Sequence, residues 1–103
     1  MGIWRSGLLA LPLLLTGVAQ AADPIRIAAV GPVTGPVAQY GDMQFSGVRL
    51  AVEQINAKGG VLGRPLEAVV LDDACEPKQA VAVANRVVNE GIEYVVGHLC
   101  SGS

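Results

Sequence analysis

Three short apolar runs alternate with two amphipathic segments in the part of the chain that follows residue 21. The runs at 24–31, 66–71 and 94–97 are rich in Val, Ile and Ala, and such runs bounded by turn residues are typical of strands. In residues 42–58 and 77–90, by contrast, apolar side chains recur at helical spacing. The pattern predicts the element order β-α-β-α-β, and therefore an α/β fold.

The two predicted helices carry clear start and stop signals. Gly59 and Gly60 end the first helix, while Pro77 stands at a first helical position and Gly91 ends the second helix. The residues expected to face the sheet are Val48, Ala51, Val52 and Ile55 in the first helix and Ala80, Ala84, Val87 and Val88 in the second.

Strands joined through helices are expected to form a parallel sheet, because such crossovers are right-handed and return to the same sheet. The usual doubly wound order places the second and third strands on either side of the first. The uninterrupted apolar run at 66–71 predicts a strand buried on both faces. Ligands of such sheets bind at the carboxyl ends of the strands, so the loops that follow the strands are the candidate site.

Residues 1–21 have the features of a secretory signal peptide. Arg5 precedes the apolar stretch 7–15, and Ala19-Gln20-Ala21 fits a small-residue cleavage site. A membrane anchor is the alternative, but the stretch is shorter than the roughly 20 residues that span a bilayer, and Pro12 interrupts it. We expect export and cleavage before Ala22.

Charge and size narrow the class of the remaining chain. Residues 22–103 have a net charge of −3, which favours neither nucleic acid nor an anionic membrane as a partner. A domain of this length buries only about 60% of its unfolded surface. We therefore expect a small α/β layer that packs against a neighbour.

Several polar residues could in principle carry chemistry. Asp72 and Asp73 are a candidate acid–base pair, but a strand-end turn in which Asp73 accepts loop N–H groups is favoured. His98 is interpreted as a hydrogen-bonded structural histidine. The glycines of the first loop, Gly31, Gly35 and Gly41, fit neither phosphate-binding spacing and are interpreted as turn residues.

Three stretches together resemble one known family: G-P-V-T-G-P-V-A-Q-Y-G-D, D-D-A-C-E-P-K-Q-A-V-A-V-A-N and V-V-G-H-L-C-S, which begin at Gly31, Asp72 and Val95. They resemble the periplasmic branched-chain amino-acid binding proteins of bacterial ABC transporters. The resemblance implies that 22–103 is part of the N-terminal lobe of a two-lobed type I periplasmic binding protein. It also implies capture of Leu, Ile or Val without chemistry on the ligand or a cofactor, and delivery to a permease and ATPase complex.

The resemblance assigns roles to individual residues. Ser101 corresponds to the serine that binds the ligand α-carboxylate, and Tyr40 to an aromatic residue that packs on the ligand side chain. The residues themselves also favour the loop 100–103, because a loop at a strand end can offer backbone N–H groups and hydroxyls to a carboxylate, and Cys100 is therefore a further candidate ligand-binding residue. Cys75 and Cys100 correspond to a disulfide, which an even cysteine count in an exported protein also favours. Gly102 departs from the family, whose members often carry a hydroxyl residue there.

Alternatives remain at each of these positions. Ser101 could cap a turn, and Tyr40 could fill core or surface. Cys75, Cys100 and His98 could form part of a metal site, although they complete no recognisable zinc spacing, or a catalytic cysteine could use His98 as its base. For the whole chain, the rivals are a lobe that binds an amide, urea or aromatic acid, a receptor sensor domain, a nucleotide-type enzyme and an inactive truncated fragment.

Overall fold

The computed structural model describes residues 22–103, so the predicted signal peptide lies outside the described residues. The elements follow the predicted order: β1 (Ile25–Gly31), α1 (Ala38–Ala57), β2 (Leu66–Asp72), α2 (Pro77–Asn89) and β3 (Tyr94–Val96). All three strands are parallel, in the order β2-β1-β3. The α/β class and the position of β1 between the other two strands are confirmed.

The helix ends follow local chemistry. Pro77 opens α2, where a missing N–H costs nothing. At the end of α1 the chain turns through Gly59 and Gly60, which have φ of 103° and 80°, and the N–H of Gly60 donates to the carbonyl of Ile55. Glycine adopts this left-handed conformation without the steric cost of a Cβ atom.

Helix α1 begins at Ala38, four residues earlier than the sequence pattern predicts. The sequence pattern predicts a loop glycine at Gly41, whereas Gly41 is buried within the first turns of the helix. Without a side chain, Gly41 lets the helix lie directly against the carbonyl of Pro32. The first loop is therefore short, and Tyr40 belongs to the helix.

The two helices cover opposite faces of the sheet. Side chains alternate along a strand, so Ala28 and Val30 of β1 point to the face covered by Val83 and Val87 of α2, while Ile27 points to the side of α1. The α2 side holds the main hydrophobic cluster, which consists of Ala28, Val30, Leu71, Val83, Val87 and Ile92, with Val69 packed against it.

Two burial predictions are wrong. Ala84 and Val88 are exposed, because the buried face of α2 is formed by Ala80, Val83 and Val87, which point toward the cluster around Leu71. Strand β2 is only half-buried over most of its length, since it lies at an edge of the three-stranded sheet.

The α1 side of the sheet is less covered than the α2 side. A groove of about 370 Å³ runs between α1 and the sheet, and all three residues of β3 are exposed. The groove is lined mainly by apolar side chains: Ile27, Gln44, Val48, Ala51, Val52, Ile55, Leu66 and Val96, together with Gly47.

Within residues 22–103, neither helix has the length and hydropathy that a bilayer crossing requires.

Candidate functional site

Three loops meet at the carboxyl edge of the sheet. We name them the first loop (residues 32–37), the second loop (73–76) and the third loop (97–103). The disulfide between Cys75 and Cys100 joins the second and third loops across the central strand, with Cα atoms 5.5 Å apart. The predicted bridge is confirmed, and neither sulfur is free to bind a metal or to act as a nucleophile.

Asp72 fastens the first loop to the second. Its Oδ1 accepts the backbone N–H groups of Val33 at 2.8 Å, Thr34 at 3.3 Å and Ala74 at 2.8 Å, and its Oδ2 accepts the Thr34 hydroxyl at 2.6 Å. Burial raises the pKa of Asp72, but these hydrogen bonds to the ionised form outweigh it and lower the pKa below its ordinary value. The carboxylate is therefore a structural acceptor.

We expect Thr34→Val to raise the pKa of Asp72 toward the ordinary aspartate value, because the hydroxyl donor is lost. Since the pKa is depressed in the fold, the stabilisation from Asp72 is complete above the unfolded pKa of about 3.9. It is lost as the pH falls through the lower folded pKa. Carbon-13 NMR titration of the Asp72 carboxyl group measures the shift, with Thr34→Ser as the control that keeps a hydroxyl. Equal Asp72 pKa values in the two variants would contradict this role.

Asp73 is fully buried and links the second loop to the third. Its Oδ1 accepts the N–H of Cys75 at 2.9 Å, and its Oδ2 lies 2.9 Å from Nδ1 of His98 and 3.2 Å from the hydroxyl of Ser103. Because a carboxylate only accepts hydrogen bonds, Nδ1 of His98 carries the hydrogen in this pair. The predicted turn role of Asp73 and structural role of His98 are confirmed.

The sequence-predicted site residues lie together. Tyr40, Cys100 and Ser101 line an open depression of about 400 Å³ at the carboxyl edge. We name it the strand-end depression; its lining is Val37, Tyr40, Leu99, Cys100, Ser101 and Gly102. Tyr40 is 53% exposed, so its ring is presented to the depression and to solvent rather than packed in the core.

The third loop is shaped to offer hydrogen-bond donors. The N–H of Ser103 donates to the carbonyl of Cys100 at 3.2 Å, which closes a turn with Ser101 and Gly102 at its centre. Among the described residues, the N–H groups of Ser101 and Gly102 make no backbone hydrogen bond. A hydroxyl and two such N–H groups form a donor set that suits a carboxylate.

Sequence reasoning missed the role of Gln44 in holding this edge. Its Nε2 donates to the carbonyls of Val30 at 3.1 Å and Val96 at 3.2 Å, which ties α1 to the ends of β1 and β3. The signal was present, because Gln44 precedes Val48 by four residues and so is a polar residue on the apolar face of α1. Thr34 was missed as well, since its partner Asp72 is distant in sequence.

No group of three or more His, Cys, Asp or Glu side chains within residues 22–103 is arranged to hold a metal ion. The carboxylates of Asp72 and Asp73 are occupied by loop N–H groups and hydroxyls. The arrangement places a donor set that suits a carboxylate beside the aromatic ring of Tyr40.

Comparison with known proteins gives consistent matches over the described residues. A family model described as periplasmic binding protein matches residues 24–103. The leucine-, isoleucine-, valine-, threonine-, and alanine-binding protein of Pseudomonas aeruginosa is 69% identical over 83 residues, which cover 81% of this chain and 22% of the relative. The leucine-specific-binding protein of Salmonella typhimurium is 63% identical over 82 residues, which cover 80% of this chain and 22% of that relative.

A solved structure matches the fold. The branched-chain amino acid transporter substrate binding protein LivJ from Streptococcus pneumoniae, in complex with isoleucine, superposes with a TM-score of 0.72 at 36% identity. The match covers 78% of this chain and 23% of that protein. The chain thus spans about a fifth of the length of the curated relatives it matches. Because the family model covers the whole α/β unit, this chain belongs to the periplasmic binding protein family.

Proposed function

We propose that this chain forms part of the ligand-binding lobe of a solute-binding protein for branched-chain amino acids. The observation that carries the proposal is the strand-end depression, which presents Ser101 and the ring of Tyr40 on one surface. A carboxylate donor set beside an apolar ring suits an aliphatic amino acid. The names of the relatives from Pseudomonas and Salmonella, which are binding proteins for leucine and similar amino acids, support the same ligand class.

In this proposal Ser101 and the N–H groups of the third loop bind the α-carboxylate, Cys100 anchors that loop, and Tyr40 packs on the aliphatic side chain. A second lobe supplies the partner of the ammonium group, and closure of the lobes removes water from the ligand. The protein performs no reaction on the ligand and delivers it to the permease of an ABC importer with its ATPase. Residues 1–21 are the signal peptide that directs it to the periplasm.

The breadth of ligand choice is also a proposal. One relative is named for five amino acids and another for leucine alone, so the segment matched here is compatible with both. An apolar pocket separates ligands that differ by one methylene by only about 1–3 kcal/mol. We therefore expect leucine, isoleucine and valine all to bind, with leucine and valine, which differ by one methylene, separated by no more than about 200-fold in affinity.

The test uses a hybrid protein, in which the aligned segment of this chain replaces that of the Pseudomonas relative. We expect Ser101→Ala in the hybrid to weaken leucine binding by about 1.5–3 kcal/mol, the contribution of a hydrogen bond to a charged group. Titration calorimetry measures the affinity. Ser46→Ala, an exposed serine on α1, is the matched control and should leave binding unchanged.

Two results are informative beyond the expected one. Unchanged leucine affinity in Ser101→Ala would return Ser101 to a turn-capping role. If the hybrid binds an amide, urea or an aromatic acid and no branched-chain amino acid in the same calorimetric screen, the lobe belongs to a binding protein for that other ligand.

A further inference from the structure

The buried carboxylate of Asp73 divides its two oxygen atoms between two loops. Oδ1 accepts a hydrogen bond from its own loop, at the N–H of Cys75, whereas Oδ2 faces His98 and Ser103 of the third loop. The side chain of Asp73 is 0% exposed and that of His98 is 23% exposed. Burying a carboxylate is costly unless donors surround it, and here two of the donors come from the loop that carries Ser101.

The partners of Asp73 bracket Ser101 in sequence. His98 lies three residues before it and Ser103 two residues after it, while Cys100, immediately before it, is fixed by the disulfide. The disulfide holds only one end of the turn centred on Ser101 and Gly102. The other end is held by the hydroxyl of Ser103, which lies 3.0 Å from the carbonyl of Cys100 and 3.2 Å from Asp73.

We propose that Asp73 is a positioning residue for ligand binding, which acts through His98 and Ser103 to fix the orientation of Ser101. The inference rests on the proposed function of Ser101 as a carboxylate donor. A loop that is already ordered in the free protein loses little conformational entropy when the ligand binds, and the affinity for the ligand is therefore higher. Neither Asp73 nor His98 lines the strand-end depression; both act on the orientation of the Ser101 hydroxyl.

The first experiment measures leucine affinity of hybrid variants by titration calorimetry. We expect His98→Leu, which removes the donor to Asp73, and Asp73→Ala to weaken binding about tenfold, the size of effect typical of coupled neighbours. His98→Asn should restore most of the affinity, because its amide nitrogen can donate from near the position of Nδ1. Asp23→Ala, an exposed aspartate at the far end of the sheet, should bind as the unsubstituted hybrid does.

The second experiment separates positioning from general destabilisation. If Asp73 acts through the turn at Ser101, the loss of affinity caused by His98→Leu should be clearly smaller in a Ser101→Ala background than in the unsubstituted hybrid, because only the N–H groups of the turn are then left to position. Thermal melts show that each variant is folded at the temperature of titration. Should Asp73→Ala fail to fold, the His98→Leu cycle and the His98→Asn rescue decide the question.

The outcomes distinguish the two claims. If the unsubstituted hybrid binds no leucine, the proposed function is wrong and this inference falls with it. If the hybrid binds leucine and His98→Leu binds equally well, or if its loss simply adds to that of Ser101→Ala, the positioning role is wrong while the proposed function stands.

Discussion

Replacing both Cys75 and Cys100 by alanine is expected to lower the free energy of unfolding by about 3 to 3.5 kcal/mol. The bridge joins residues 25 apart in sequence, and a crosslink of this span removes many conformations from the unfolded chain. The second and third loops would then be joined mainly through Asp73. Urea denaturation of the hybrid, in its unsubstituted and double-alanine forms, measures the difference.

Reductant provides the control for the disulfide. The unsubstituted hybrid should lose stability on reduction and approach the double-alanine variant. The double-alanine variant lacks this bridge, so any change in its stability on adding reductant measures effects elsewhere in the hybrid. Equal denaturation midpoints for the oxidised hybrid and the double-alanine variant would show that the bridge contributes nothing to stability.

Gly41→Ala is expected to destabilise the fold by about 1–3 kcal/mol, the usual cost of overpacking a filled site. A Cβ atom at Gly41 would overlap the carbonyl of Pro32 and would lie 3.3 Å from Cε2 of Phe45, which is buried. Backbone cannot move away as a flexible side chain can, so α1 must shift from the first loop. Because Tyr40 is the preceding residue, leucine affinity of the hybrid should fall as well.

Gly47→Ala in the same helix is the matched control and should raise the free energy of unfolding, whereas Gly41→Ala should lower it. A Cβ atom at Gly47 would meet nothing within 4 Å, so only helix propensity changes, and alanine is favoured over glycine by about 0.8–1.0 kcal/mol in a helix interior. Urea denaturation of the two variants gives both values. Stabilisation by Gly41→Ala would show that α1 does not lie against Pro32 as described.

The order of elements and of strands could be predicted because it follows from local patterns and one general rule. The apolar runs and the glycine and proline stops identify each element, and the usual doubly wound order places β1 between β2 and β3. The disulfide followed from the family resemblance and the cysteine count. The roles of Tyr40 and Ser101 came from the resemblance, which rests on the stretches that contain them; the residue types alone left a filler role for Tyr40 and a turn-capping role for Ser101 open.

What sequence reasoning missed depends on contacts between distant residues. The sequence around Gly41 is typical of a loop glycine. Only the fold shows that Gly41 lies in a helix and against the carbonyl of Pro32. On α2 the buried residue is Val83 and not the predicted Ala84. The position of Leu71 on β2 determines which side of the helix packs on the hydrophobic cluster. The pairing of Asp73 with His98 spans 25 residues and requires both strands to be in register.

The central claim is that the third loop of this chain binds the carboxylate of a branched-chain amino acid. A crystal structure of the hybrid with leucine tests it most directly. We expect the leucine carboxylate to lie within hydrogen-bond distance of the Ser101 hydroxyl, and the isobutyl group to pack against the ring of Tyr40. Leucine bound elsewhere, with Ser101 facing only solvent, would show that the third loop does not bind the carboxylate.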